Sequence, residues 1–235
     1  MGPEMETYRG NKTTMAVIVI LAIGGGMLLF GAIANPLFFP MRRVAYPLLV
    51  VFASLFIWIK SVRVTIHTDG ISYHSLFGEK EIRWDELERF EYGAIKQSVN
   101  FVPIGTYYHF KLVDSQGRKL RFGNRVESPA KLGPKIVEQS YPALFRKIAD
   151  RYNSGEEVDF GAIRVSRTGG IKVKKVFGYK EIPWNQVSSY NIQQGYFYIW
   201  PVGVKRTRGP RIRQVPNAYV LLGLMNAVLK PQATS

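Results

Sequence analysis

Any chemistry in this chain has to come from a narrow set of side chains. The 235 residues include no cysteine, which removes thiolate metal sites, cysteine nucleophiles and disulfide frameworks together. The three imidazoles, His67, His74 and His109, include no pair four apart on a helix and no neighbouring acidic motif with metal-ligand spacing. Asp85, Glu86, Glu88 and Glu91 form a cluster of carboxylates. One hundred residues later, Asn185, Gln186 and Ser188 stand at three of those four positions. A solvated turn therefore explains the acids better than an acid/base pair. The chain carries no Walker loop, no dinucleotide glycine pattern and no G-x-S-x-G elbow. These absences predict a protein that is not an enzyme, with no catalytic residue, no metal and no cofactor.

Positive charge is the chemistry that remains. Lysine and arginine total 32 against 17 acids, a formal charge of +15. The excess is concentrated late in the chain. Residues 64–152 hold 14 basic and 11 acidic residues, whereas residues 160–235 hold 12 basic and one acidic, Glu181. Two patches result. Lys172, Lys174 and Lys175 come from one predicted strand, with Lys180 just beyond. Lys205, Arg206, Arg208, Arg211 and Arg213 put five cations in nine residues on a predicted hairpin, framed by Tyr196, Phe197, Tyr198 and Trp200. Both patches are candidate anion sites, and each cation held near an anionic lipid surface contributes about 1 kcal/mol. Nucleic acid is not the expected partner, because the first half of the repeat is charge-balanced.

The elements that carry these residues are used twice. Thr68 to Trp84 and Thr168 to Trp184 are identical at nine of seventeen positions, where about one match is expected by chance. Each copy has a β-rich run, a turn at Gly70 or Gly170, an alternating strand, a second turn at Phe77-Gly78 or Phe177-Gly178, and an Ile-x-Trp step. Trp84, Trp184, Gly70, Gly170, Phe77 and Phe177 are read as structural anchors. Later strands flank Asp114-Ser115-Gln116-Gly117 in the first copy and Gly195 in the second. Each copy closes with helix. The first helix is expected to open at Ser128-Pro129, break at Pro134 and restart at Pro142; the second is expected to bury Tyr219, Leu222, Met225 and Leu229.

Upstream lie two apolar runs. Met15 to Ala34 is uncharged and reaches roughly 30 Å as a helix; Val44 to Ile59 reaches about 24 Å. They predict a transmembrane hairpin rather than a cleaved leader, since the first run is longer than a usual signal core. Arg9, Lys12, Lys60 and Arg63 outnumber Arg42 and Arg43, which favours a cytoplasmic body. The expected organisation is a tail (1–14), a transmembrane hairpin (15–63, spans 15–34 and 44–60), a first domain (64–152), a linker (153–159), a second domain (160–230) and a tail (231–235).

The Gly-Ile and Phe-Gly steps, Glu81-Ile82-Arg83-Trp84, Glu181-Ile182-Pro183-Trp184 and Val215-Pro216-Asn217 together resemble the bacterial pleckstrin-homology-like domains. In particular the chain looks like an uncharacterised bacterial membrane family with tandem copies behind a transmembrane hairpin. The resemblance implies an α+β fold: two helices, then two antiparallel β-barrel or sandwich domains, each capped by a C-terminal helix. It also implies a membrane-anchored binding module at the inner surface of the plasma membrane, recognising anionic lipid headgroups or an acidic protein. The alternative is an accessory subunit of a membrane enzyme or transport complex.

Overall fold

The computed structural model describes residues 1–34, 39–99, 102–203 and 209–229. Its strands lie in four antiparallel sheets, and the chain divides into two compact units, a division that runs through the first copy of the repeat. One unit holds Gly2–Glu81 with Asn124–Pro129; the other holds Ile82–Gly123 with Ala130 onward.

In the first unit, β1 (Glu4–Arg9) pairs antiparallel with β2 (Arg63–His67), so the segment expected as a free tail is an edge strand. Asn11 then caps α1 (Lys12–Ala34): its Oδ1 accepts from the Thr13 N–H at 2.9 Å and the Thr14 N–H at 3.3 Å. The second helix, α2, runs from Phe39 to Ser61 and accommodates Pro47. β2 continues into β3 (Gly70–Ser75) and β4 (Gly78–Arg83), in the sheet order β1-β2-β3-β4. Tyr8, Ile59, Val62, Val64, Ile66, Ile71 and Val126 form the buried core of this unit.

Two expectations are corrected here. Among the described residues, no helix is long and apolar enough to cross a membrane. The two uncharged runs expected to span a bilayer therefore supply no membrane-crossing helix among the described residues. The expected transmembrane hairpin, the integral membrane partnership and the multi-pass inner-membrane location rested on those spans and fall with them. The helix pair nevertheless exposes apolar side chains, including Ile20, Met27, Phe30 and Val50. The second correction concerns the sheets. In place of two barrels, the strands form separate sheets of four, four, three and two strands. The turns after Trp84 and Trp184 interrupt each meander at the same place.

In the second unit, β5 (Leu87–Val99) and β6 (Val102–Asp114) form a long hairpin, and β7 (Lys119–Gly123) adds a third strand. Phe90, Tyr92, Phe110 and Phe122 stack in a ladder on one face, with successive ring centroids 6.3, 5.2 and 5.1 Å apart. α3 (Pro129–Asn153) is one continuous helix, with Pro134 and Pro142 inside it rather than at breaks. Leu132, Ile136, Ser140, Leu144, Ile148 and Tyr152 are buried at strict four-residue spacing. That packed stripe offsets the two proline penalties of about 3 kcal/mol each. The second copy follows with β8 (Val158–Phe160), β9 (Ile163–Ser166), β10 (Gly170–Lys174), β11 (Tyr179–Ile182), β12 (Val187–Gln193) and β13 (Tyr196–Pro201). It closes with α4 (Ala218–Leu229). The buried stripe of α4 is Leu221, Leu224 and Met225, with Tyr219 exposed, so the apolar face is rotated from the expected one.

The β6–β7 turn makes a prediction about pH. The Asp114 side chain is fully buried and accepts from the backbone N–H groups of Gln116 at 3.0 Å and Arg118 at 2.8 Å, and from the Arg118 side chain. Burial alone would raise its pKa, but the hydrogen bonds and charge of Arg118 win and hold it below the usual carboxylate value. A depressed folded pKa gives stability that is present above the unfolded pKa of about 3.9 and is lost as pH falls through the folded value. Urea midpoints measured from pH 5 to pH 2 should fall, and Asp114→Asn should lower the midpoint at pH 5 while flattening that acid limb.

Candidate anion-binding face

The β10–β11 hairpin sorts its charges by face. In a strand successive side chains alternate, so Lys172 and Lys174 share one face and Val173 and Lys175 the other. The register Val173↔Lys180 and Ile171↔Ile182 places Lys180 and Ile182 opposite the second set. On the first face Lys172 is compensated and Lys174 is not. Lys172 Nζ lies 2.7 Å from Glu157 and 3.5 Å from Glu181. Arg164 reaches Glu157 at 3.4 Å, and its guanidinium sits 4.8 Å from the centre of the Tyr179 ring. The hydrogen bond and charge of Glu157 push the Lys172 ammonium up, and those of Lys172 pull the Glu157 carboxyl down. Lys172, expected in the anion site, is therefore spent on a structural network.

The second face is different. Lys175 and Lys180 stand at the mouth of a shallow cleft floored by Val173, Ile182, Phe197, Ile199 and Pro201, with Gly209 and Pro210 along one side. Gly209 belongs there for steric reasons: a Cβ on it would lie 1.6 Å from the Phe197 carbonyl oxygen. Lys174, Lys175 and Lys180 are exposed, and among the described residues no carboxylate pairs with any of them.

The remaining expected site residues divide. Lys205, Arg206 and Arg208 lie outside the described residues. Arg211 bridges Tyr196 at the edge of β13, and Arg213 sits in the 3-10 turn Ile212–Gln214; both are exposed. Of the framing aromatics, Phe197 and Tyr198 are buried, and Tyr198 stacks on Trp200 at 5.7 Å. The anchors also divide. Trp84 is buried, and Trp184 is half-buried and donates its indole N–H to the Ser166 carbonyl at 2.9 Å. Gly70 is buried and opens β3, and Gly170 takes φ +83°. Phe77 and Phe177 anchor nothing, being 86% and 96% exposed. Sequence reasoning missed their exposure because the Phe-Gly identity between copies looks the same whether it is kept for a core or for a tip. Lys180 was visible as charge; only the strand register puts it beside Lys175.

The acidic run of the first copy is also resolved by geometry. Asp85 pairs with Arg83 at 3.3 Å, Glu86 with Arg118 at 2.8 Å, Glu88 with Lys147 at 2.7 Å and Glu91 with Lys111 at 2.6 Å. Each of the four acids is paired with a cation, Arg118 being shared with Asp114. Among the described residues no three His, Asp or Glu side chains gather as a metal site requires.

Residues 1–234 match the model of a family of unknown function, DUF6585, and the chain belongs to that family. No curated protein matches it.

Proposed function

We propose that the protein is a binding module without catalytic activity, and that its basic second half recognises anionic lipid headgroups. The observation that carries this reading is the exposed trio Lys174, Lys175 and Lys180 on one hairpin, which pair with no carboxylate among the described residues, whereas Lys172 beside them is held by Glu157 and Glu181. An ammonium with no carboxylate partner is free to meet a phosphate, and Lys175 and Lys180 line one cleft together with Val173, Ile182 and Phe197.

The test is a calorimetric titration of the full-length protein with short-chain phosphatidylglycerol below its micelle concentration. Lys175→Glu with Lys180→Glu should weaken binding at least tenfold, since two contacts of about 1 kcal/mol are lost and reversed. Lys119→Glu with Arg121→Glu, an equal change of charge on the exposed side of β7, should change it less than twofold. Equal losses in the two variants would sink the assignment, because a general charge effect does not distinguish the two surfaces.

A further inference from the structure

Both copies of the repeat end a hairpin in an apolar pair that the chain itself leaves uncovered. Leu76 and Phe77 lie between β3 and β4, and Val176 and Phe177 lie between β10 and β11. Val176 is 90% exposed and Phe177 96%. A phenylalanine left in water forgoes the gain of burial, and here the chain does so at the same register twice. These tips are held in place. The Lys175 N–H donates to the Gly178 carbonyl at 2.8 Å, and the Phe77 N–H donates to the Ser75 hydroxyl at 3.3 Å. Gly178 takes φ +82° and Gly78 φ +110°, so each turn closes tightly and points its apolar pair outward.

What surrounds the pairs differs between the copies. The first tip is flanked by His74, Ser75, Glu79, Lys80 and Glu81. At the corresponding positions the second has Lys174, Lys175, Tyr179, Lys180 and Glu181, the last of which is engaged by Lys172. The apolar apex is the same; the collar has become cationic. A free phosphate would satisfy the lysines and leave Val176 and Phe177 in water. An anionic bilayer surface satisfies both: the apex enters the acyl boundary, the ammonium groups meet headgroup phosphates, and the amphipathic Tyr179 ring suits the level between them.

We infer that the Val176–Phe177 tip is a wedge that inserts into anionic lipid surfaces and docks the β10–β11 hairpin on them. This rests on the headgroup reading above and adds the apolar half of the contact. The absence of cysteine allows a clean test. Full-length Phe177→Cys, labelled with an environment-sensitive dye, is mixed with phosphatidylglycerol or phosphatidylcholine vesicles. Emission should shift to the blue on the anionic vesicles only. The readout sits at the tip, so lipid contact elsewhere on the chain does not produce it. Adding Lys174→Glu and Lys175→Glu should raise the lipid concentration for half-maximal shift at least tenfold. Phe77→Cys with the same dye is the internal control, with the same apex and an acidic collar, and should not shift.

Silence at position 177, an equal shift on neutral vesicles, or an equal shift at position 77 overturns the wedge. Silence at 177 with short-chain headgroup binding intact overturns it alone. Silence together with loss of headgroup binding overturns the reading beneath it as well.

Discussion

Gly170→Ala is expected to destabilise the protein by about 3 kcal/mol or more, a sizeable share of the roughly 5–15 kcal/mol that holds a typical domain folded. Two costs coincide at this residue. Its φ of +83° lies where an L side chain pays roughly 1–2 kcal/mol. A Cβ there would also lie 2.3 Å from the Ile182 carbonyl oxygen and 2.8 Å from the Pro183 Cα, both backbone atoms that cannot rotate away. Relieving the overlap means separating β10 from the end of β11, next to the turn that seats Trp184 against Tyr152, their rings 6.2 Å apart. Gly178→Ala separates the two costs. Gly178 has a nearly equal φ of +82° with nothing within 4 Å of its Cβ position. It should lose only the conformational part, about 1 kcal/mol. Urea unfolding of the two variants beside the parent reads the difference directly. Equal losses would mean that the approach of Gly170 to Ile182 is not tight.

The same pair of glycines shows what the sequence could reveal. Gly70/Gly170 and Gly78/Gly178 are identical between copies and read alike as turn residues, yet one member of the second copy is crowded by backbone and the other stands in open space. Local pattern identifies a turn; only tertiary approach says what presses on it. The repeat itself was legible because each copy has to build the same meander from the same period-2 strands, and β2-β3-β4 and β9-β10-β11 follow one order. Edge strands were not. Glu4–Arg9 carries three charges and reads as a polar tail, but its backbone pairs with β2 and needs only one buried side chain, Tyr8. The continuous α3 was illegible for the opposite reason. Two prolines argue for breaks, and the packing that overrules them comes from residues far away in sequence. The charge asymmetry was plain from composition, but the split of Lys172 from Lys175 depends on strand facing and on Glu157, which the sequence places in a linker.

Asn217 is the residue where the largest loss from a single side chain's hydrogen bonds is expected. It lies just before α4 with φ +53°, a conformation asparagine tolerates better than most residues. Its Oδ1 accepts from the Phe90 N–H at 2.7 Å, its Nδ2 donates to the Glu88 carbonyl at 2.8 Å, and its own N–H donates to the Phe90 carbonyl at 2.8 Å. One side chain thus acts as a strand neighbour for β5, across 127 residues of sequence. Asn217→Ala leaves the buried Phe90 N–H without its acceptor, at about 1–3 kcal/mol, and adds backbone strain of about 1 kcal/mol. Asn217→Gly keeps the conformation and removes only the bonds, so the difference between the two variants isolates the strain. Asn217→Asp retains the acceptor and replaces the donor with a charge facing the Glu88 carbonyl, which should cost nearly as much as alanine. Amide exchange gives the local signature. The Phe90 N–H should lose protection in all but the aspartate variant, while Leu112, paired with Phe90 across β5–β6, should keep its own. If the Phe90 amide exchanges at the parental rate in the alanine variant, Asn217 is a helix-start residue only, and β5 is held by the β6 ladder alone.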